Sequence, residues 1–169
     1  MRRIASAILL VLVVPALASC GGDGDTASTP GVQTTFDGTT ASIDFGDGRR
    51  VDIAITGVID PVPPPQPSFE PGPKNRYVGI DFEVDNKGTE SYFYDFADPS
   101  SSLITTDGRP ATQAVLPGGQ CTLLSYRGAI AAGSKLDECL VFEVPNGVQP
   151  KTFRYDFDGV NVEWEVRGD

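Results

Sequence analysis

The pattern of hydrophobic and polar residues along this chain is that of short strands separated by turns. The clearest strand is residues 78–85, VGIDFEVD, in which apolar residues alternate with glycine and acidic residues. Such alternation puts the apolar side chains on one face and the acids on the other, as in a strand with one buried face. Similar runs predict further strands at 42–45, 51–55, 92–96, 103–105, 121–126, 139–144, 153–157 and 160–166.

Turn signals separate these strands at regular intervals. Gly46-Asp47-Gly48 lies between the first two strands and predicts a hairpin, and Asn86-Lys87-Gly88 ends the clearest strand. Trp164 falls on the apolar face of the last strand, which indicates a core anchor. Many short strands at regular spacing, with no convincing helix, are typical of an all-β sandwich or barrel.

From Arg76 onward the order of features resembles a family of bacterial secreted and lipid-anchored domains of unknown function. A long strand ends in Asn86-Lys87-Gly88, and the run 140–145, LVFEVP, follows Pro117-Gly118-Gly119. The resemblance covers roughly residues 40 to 166. It implies an immunoglobulin-like β-sandwich of about eight or nine antiparallel strands with one disulfide, like a mycobacterial secreted immunoprotective antigen. The family has no established catalytic residues to transfer to this chain.

The N-terminus has the order of a secretory signal peptide. Arg2 and Arg3 precede an apolar stretch, 4–18, which is shorter than the about 20 residues that a comfortable membrane span needs. The following Leu17-Ala18-Ser19-Cys20 is similar to the lipobox of bacterial lipoproteins. That resemblance implies cleavage before Cys20, acylation of its thiol and a lipid anchor on the extracytoplasmic face of the cell membrane.

These boundaries divide the chain into three parts. We expect a lipoprotein signal peptide at residues 1–19, a flexible tether of small polar residues at 20–38, and the sandwich at 39–169. Within the sandwich, residues 61–75 are rich in proline, which predicts a stiff, solvated loop rather than a central strand. Recognition of this segment by a proline-reading partner is the alternative interpretation.

The chain has three cysteines, and lipidation would account for Cys20. Cys121 and Cys139 remain, in a compartment that permits oxidation, and we predict that they form a disulfide. The alternatives are a reactive thiol or a metal-binding pair. Two sulfurs without a third ligand make a poor metal site, so we expect no metal.

Composition excludes several classes of function. The chain has no histidine, which excludes Ser-His-Asp and Cys-His catalysis and removes the usual ligands of zinc and copper. Its formal net charge is −10, and loss of Arg2 and Arg3 with the signal peptide makes it more acidic still. Such a surface repels nucleic acid. We therefore expect no nucleic-acid partner, no cofactor and no catalytic residues.

Pairs of acidic residues raise two further hypotheses. A calcium site needs six to eight oxygen ligands, usually from one organised loop, and glycoside hydrolysis needs two opposed carboxyl groups. No acidic pair has the EF-hand spacing, and solvated strand faces and turns explain them more simply. The pairs close enough in sequence to share an ion are Asp44 with Asp47, Asp95 with Asp98, and Asp156 with Asp158.

The aromatic strand at 92–96 is the best candidate for a binding surface. Tyr92 and Tyr94 share one face with Phe96, and Phe93 lies on the other, so one set could face outward. Burial of Tyr92, Phe93 and Tyr94 together would exclude this hypothesis. The sequence thus favours a non-catalytic, lipid-anchored binding domain whose partner is another envelope protein or a glycan. The alternatives are a calcium-dependent or small-ligand sensor and an envelope hydrolase.

Overall fold

The computed structural model describes residues 32–36, 38–95, 101–121 and 127–166. Its regular elements are eleven strands and one short 3-10 helix, Pro67–Phe69. The strands are β1 (Gln33–Phe36), β2 (Thr40–Asp44), β3 (Arg50–Val62), β4 (Asn75–Asn86), β5 (Tyr92–Asp95), β6 (Ser101–Thr105), β7 (Thr112–Ala114), β8 (Arg127–Ile130), β9 (Lys135–Pro145), β10 (Pro150–Phe157) and β11 (Val160–Glu165).

The strands form antiparallel sheets around one main core. A six-stranded sheet has the order β1-β2-β3-β4-β9-β7, and it packs against a three-stranded sheet, β11-β10-β6, and a two-stranded sheet, β5-β8. Neighbouring strands are antiparallel in every pair, from β1 with β2 to β10 with β11. This arrangement confirms the all-β fold that the strand pattern predicts and the immunoglobulin-like sandwich that the family resemblance implies.

The central strand β4 has the two faces that its sequence predicts. Val78, Ile80, Phe82 and Val84 are each at most 1% exposed and lie in the main core. The alternate positions from Asp81 to Asp85 lie on the outer face of the six-stranded sheet. β4 pairs with β3 on one side and with β9 on the other, so both of its edges are hydrogen-bonded. Alternation along this strand therefore sets the inner and outer faces of the whole sheet.

Aromatic side chains join the sheets across the core. The ring of Phe153 on β10 lies 6.3 Å from that of Phe82, 6.1 Å from that of Phe142 and 5.9 Å from that of Trp164, centroid to centroid. Trp164 is buried, and its Nε1 donates a hydrogen bond to the carbonyl oxygen of Thr39 at 3.1 Å. The prediction that Trp164 anchors the core is confirmed.

The structure has more strands than the eight or nine that were expected. β1, β7 and β8 are additional, and they are only three or four residues long and largely exposed. Short exposed strands have no apolar alternation, so the hydrophobic pattern does not reveal them. β1 also corrects the C-terminal part of the predicted tether, since residues 33–36 pair with β2. The strand predicted at 121–126 lies almost wholly outside the described residues.

The proline-rich segment is shorter as a loop than the predicted 61–75. β3 continues through Pro61 to Val62, which pairs with Tyr77 after a register shift. A proline is tolerated at such an irregularity because no ladder hydrogen bond is needed from its nitrogen there. Farther along, Glu143 Oε1 accepts hydrogen bonds of 2.8 Å from the backbone N–H of Gly72 and from Asn75 Nδ2, which hold the end of the segment against β9.

Asn86, at the end of β4, holds the β5-β8 sheet in place. It is fully buried, and its Nδ2 donates to the carbonyl oxygens of Glu90, at 2.9 Å, and of Ile130, at 2.8 Å. Its Oδ1 accepts from the backbone N–H of Gly88 at 3.0 Å. Glu90 precedes β5 and Ile130 ends β8, so one side chain fixes both strands of the two-stranded sheet.

Gly88 lies so close to the β2–β3 hairpin that no larger residue fits. A Cβ at this position would lie 2.3 Å from the carbonyl oxygen of Gly48 and 2.6 Å from the backbone nitrogen of Arg50. The Gly88 N–H also donates to the Arg50 carbonyl oxygen at 3.0 Å. The Asn-x-Gly sequence therefore has two roles. The Asn86 side chain makes three hydrogen bonds, and the Gly88 backbone packs directly on the β2–β3 hairpin.

A second, smaller apolar cluster covers part of the outer face of the six-stranded sheet. The disulfide between Cys121 and Cys139, predicted from the sequence, is present, with Cα atoms 5.3 Å apart. It joins the loop after β7 to the outer face of β9. The buried members of this cluster are Val62, Tyr77, Leu116, Cys121, Cys139 and Val141, with Ile59, Phe69 and Ala114 packed against them.

We expect Asn86→Ala to lower the free energy of unfolding by about 2–4 kcal/mol, since two carbonyl oxygens lose their donor and each unsatisfied buried group costs about 1–3 kcal/mol. The measurement is urea denaturation followed by Trp164 fluorescence. Asn161→Ala removes an exposed asparagine from β11 and should change the stability by less than about 0.5 kcal/mol. Equal denaturation midpoints for the two variants would contradict the role given to Asn86.

We expect the double variant Cys121→Ser, Cys139→Ser to be less stable by about 3 kcal/mol, because the crosslink closes a loop with a sequence separation of 18. For a domain of this size the melting temperature should fall by roughly 6–12 °C. Calorimetry of the variant, with the reduced parent chain as a matched control, measures this. A melting temperature equal to that of the oxidised parent would show that the crosslink does not stabilise the fold.

Candidate functional site

The two-stranded sheet presents a single large aromatic ring to solvent. Tyr92 on β5 pairs with Ile130 on β8, and both are buried in the main core. Phe93, the next residue, points the opposite way and is 70% exposed. The condition that would have excluded a binding surface, burial of Tyr92, Phe93 and Tyr94 together, is therefore not met. Phe96, the fourth aromatic residue of this run, lies outside the described residues.

The outward side of this sheet forms an open cleft of about 460 Å³ beside the Phe93 ring. Ala129 pairs with Phe93 across the strands and is itself exposed, so its small side chain leaves the ring uncovered. The neighbouring outward pair is Asp95 and Arg127, whose carboxylate and guanidinium lie 2.7 Å apart. We call Phe93, Asp95, Arg127 and Ala129 the Phe93 face. It combines one exposed aromatic ring with a polar border.

Tyr94 makes the inner side of the same sheet tight. It pairs with Gly128, and a Cβ at Gly128 would lie 2.5 Å from the Tyr94 hydroxyl oxygen and 2.8 Å from its Cζ. The tyrosine ring thus lies across the glycine backbone, and a side chain at residue 128 would displace it. An aromatic ring that covers a cross-strand glycine is a known means of stabilising a weak strand pair.

A small open cleft of about 190 Å³ separates β5 from the β10–β11 turn. It is lined by the aromatic residues of β5 together with Tyr155, Asp156 and Asp158. Burial, and then the nearby carboxylate of Asp158, raise the pKa of Tyr92 above its usual range. The cleft adjoins the Phe93 face and extends the aromatic surface toward the turn.

The acidic residues considered as calcium ligands take part in hydrogen bonds or ion pairs wherever the structure describes them. Asp44 Oδ1 accepts from the Gly46 N–H at 2.8 Å, and Asp156 Oδ1 accepts from the Gly159 N–H at 2.7 Å. Asp47 and Asp158 both form ion pairs with Arg49, at 2.8 and 2.7 Å. Asp98 lies outside the described residues. These carboxylates organise two hairpin turns and join them through Arg49.

A different acidic residue, which the sequence did not single out, lies beside the disulfide. The Asp81 carboxylate oxygen and the sulfurs of Cys121 and Cys139 all lie within 4.8 Å of one another. Asp81 pairs with Cys139 across β4 and β9, on the outer face of the sheet. Burial raises the pKa of the Asp81 carboxyl above its usual range. The pairing register brings these groups together, and strand patterns alone do not predict it.

One side of the Phe93 face could not be found from the sequence. β8 has no apolar alternation, so Arg127, Gly128 and Ala129 did not stand out as partners of the aromatic strand. Cys20, the predicted lipidation site, lies outside the described residues. In the part of the chain that the structure describes, no helix has the length and apolar character of a membrane span.

Two solved structures share this fold at low sequence identity. A putative lipoprotein (ycdA) from Bacillus subtilis is 14% identical, with a TM-score of 0.54 over 83% of this chain and 39% of its own length. The secreted protein MPT63 from Mycobacterium tuberculosis is 13% identical, with a TM-score of 0.53 over 80% of this chain and 92% of its own. The present chain thus spans about two fifths of the first protein and most of the second.

The sequence itself also matches a family. No curated protein matches this chain in a sequence comparison. A family model described as a domain of unknown function, DUF4352, matches residues 35–163, from β1 into β11, and so covers nearly the whole sandwich. The resemblance seen in the sequence from Arg76 onward is confirmed, and the chain belongs to the DUF4352 family.

Proposed function

We propose that this chain is a lipid-anchored, extracytoplasmic, non-catalytic binding domain of the cell envelope, which docks a partner protein on the Phe93 face. The observation that carries this proposal is the 70% exposure of Phe93 on a strand whose neighbouring residue, Tyr92, is buried. An exposed aromatic ring on ordered backbone gives affinity at little entropic cost, because few side-chain torsions have to be fixed on binding.

The surroundings of Phe93 fit a protein partner. Ala129 leaves the ring free to enter a partner's apolar pocket, and the Asp95–Arg127 ion pair supplies a polar border. An apolar centre with a polar rim is the usual composition of a protein–protein interface. Because Arg127 is largely exposed, this ion pair contributes little to the stability of the fold and remains available to a partner.

Attachment to the membrane is the second part of the proposal. It rests on the order of signal peptide, lipobox-like segment and Cys20 in the sequence. Two proteins of similar fold support an address outside the cytoplasm, since one is described as a putative lipoprotein and the other as a secreted protein. The short tether between Cys20 and β1 would keep the Phe93 face near the membrane surface but free to turn.

The carboxylates near Phe93 favour a binding function over hydrolysis and over calcium sensing. A glycosidase needs two carboxyl groups opposed across a cleft. In the described cleft next to Phe93, Asp156 accepts a hydrogen bond within its own turn and Asp158 is paired with Arg49. Carboxylates already held in this way are poorly placed to receive a substrate or an ion.

We expect Phe93→Ala to abolish lysine crosslinking to the partner. The stability of the fold should not change, because a ring that is mostly exposed contributes little to the core.

A second experiment identifies the contact directly. It places a photo-crosslinking amino acid at residue 93 or, as a control, at residue 115 of the intact lipoprotein in living cells. Val115 is also an exposed apolar residue, 59% exposed, but it lies in the loop after β7.

The expected result is a discrete adduct from residue 93, whose added mass is resistant to glycan hydrolases, and no adduct from residue 115. Lysine crosslinking of the same cells should lose this adduct in Phe93→Ala and keep it in Val115→Ala. Identical adducts from residues 93 and 115 would refute a specific face. An adduct whose added mass is removed by a glycan hydrolase would refute a protein partner in favour of a glycan.

We expect Cys20→Ala to abolish incorporation of labelled palmitate, because the thiol that would be acylated is removed. The variant should also no longer be cleaved before residue 20. The measurement is metabolic labelling followed by immunoprecipitation. The double variant Cys121→Ser, Cys139→Ser serves as a control, since it removes the other cysteines and should keep the label. Unchanged labelling of Cys20→Ala would refute the anchor.

A further inference from the structure

Asp81, Cys121 and Cys139 bring three metal-ligating groups to one point on the outer face of the six-stranded sheet. Their ligand atoms, one carboxylate oxygen and two sulfurs, lie within 4.8 Å of one another. They come from three separate places: Asp81 from β4, Cys139 from β9, and Cys121 from the loop after β7. The sequence offered two sulfurs without a third ligand, and the fold supplies that ligand.

Two glycines keep the space around these atoms open. Gly79 lies two residues before Asp81 on the same face of β4, and a Cβ there would lie 3.1 Å from each sulfur. Gly57 pairs with Asp81 across β3 and β4, and a Cβ there would lie 3.3 Å from Asp81 Oδ2. Side chains at these two positions would press on the sulfurs and on the carboxylate. The site is therefore framed by backbone on both sides.

The disulfide does not explain the presence of Asp81. This half-buried carboxylate makes no hydrogen bond and no ion pair with any residue that the structure describes. Removal of a carboxylate from water without a hydrogen-bond donor or a cation is costly. A disulfide offers neither, so in the oxidised protein Asp81 has no counterpart among the described residues and faces the solvent of an open groove. A bound cation would supply the counterpart.

We propose that Asp81, Cys121 and Cys139 form a redox-gated zinc site, which is closed in the disulfide form and opens when the disulfide is reduced. A dithiol reductant transfers two electrons and two protons to the disulfide, which breaks the S–S bond, gives two thiols and leaves the reductant as its own disulfide. Binding of Zn²⁺ then releases both thiol protons to solvent and forms two zinc–thiolate bonds.

The coordination that results is an ordinary one for zinc. Two thiolates and one carboxylate give three protein ligands, and the fourth position of the tetrahedron remains for water. Zn–S bonds of about 2.3 Å at a tetrahedral angle hold the two sulfurs roughly 3.8 Å apart. The sulfurs must therefore separate on reduction. Cys121 lies after Gly118 and Gly119 in an irregular loop rather than in a strand, so its position is not fixed by strand pairing.

The fourth position faces an open groove. The groove has a volume of about 400 Å³ and is lined by Asp81 and Cys139 together with Thr56, Gln120 and Asp137. Water or a small ligand can reach the metal from this side, although Cys121 is almost fully buried. The acidic lining also favours the approach of a divalent cation. The same opening gives a reductant access to the Cys139 sulfur.

The test uses the full chain, purified in detergent, with Cys20→Ser so that only Cys121 and Cys139 can supply thiolates. The chain is reduced with a phosphine, which adds no thiol ligand, and titrated with Zn²⁺ against a chromogenic chelator. Co²⁺ serves as a spectroscopic probe, since thiolate ligation gives a charge-transfer absorption. We expect one zinc per reduced chain, none per oxidised chain, and protection of both cysteines from alkylation by the metal.

Two matched variants distinguish zinc coordination by Asp81 from non-specific attraction of the cation by acidic side chains in the groove. Asp81→Asn keeps the size of the side chain but removes the anionic ligand. It should weaken zinc binding about tenfold or more. Substitution of a residue that only hydrogen-bonds to a ligand already weakens metal binding by about tenfold, and loss of a ligand itself should cost at least as much. Asp137→Asn removes an exposed charge from the same groove and should change the affinity by no more than about twofold.

Three results would overturn the proposal. These are equal zinc affinities of Asp81→Asn and the parent, equal zinc binding by the oxidised and reduced chains, and absence of the thiolate-to-Co²⁺ absorption. Trp164 fluorescence monitors the fold throughout. Unfolding of the chain on reduction would also overturn it, because only the folded chain brings the three ligands together.

Discussion

The alternation of side chains along β4 is the constraint on which the rest of this structure depends. Because both edges of β4 are hydrogen-bonded, a shift of one residue would move its apolar side chains out of the core and its acidic ones into it. The inner face is closed by Phe153 and the other aromatic rings of the opposing sheet. Part of the outer face is covered by the disulfide-linked loop instead. One strand thus organises two apolar clusters on opposite sides.

Asn86 transmits the position of β4 to the proposed docking surface. The side chain binds the carbonyl groups that precede β5 and end β8, so the two-stranded sheet cannot move as a unit without breaking buried hydrogen bonds. Phe93 is then held outward because Tyr92, its neighbour, is fixed in the core. The exposure of Phe93 is the result of this arrangement, since strand geometry lets only one of the two rings face inward.

The sequence predicts what depends on local pattern and misses what depends on pairing. Eight of the predicted strands occur, because each carries apolar residues at alternate positions or a buried apolar run. β8 has one buried residue in four and gave no such signal. The pattern of 92–96 could not decide which aromatic face is exposed. Asp81 and Cys139 are far apart in the sequence, and only the β4–β9 register makes them neighbours.

The loop after β7 explains why a metal could replace the disulfide without loss of the outer-face cluster. In the oxidised chain the Cys121–Cys139 bond holds Leu116 over Val141 and Val62. Reduction alone removes this constraint and leaves the loop held by its apolar contacts. A zinc ion between the same two sulfurs would restore a link between the loop and β9, with the sulfurs farther apart than in the disulfide and with Asp81 as a third attachment to β4. The apolar cluster on the outer face would then stay covered in both the disulfide form and the zinc form. The two forms would differ in that the zinc form exposes a bound cation to the groove.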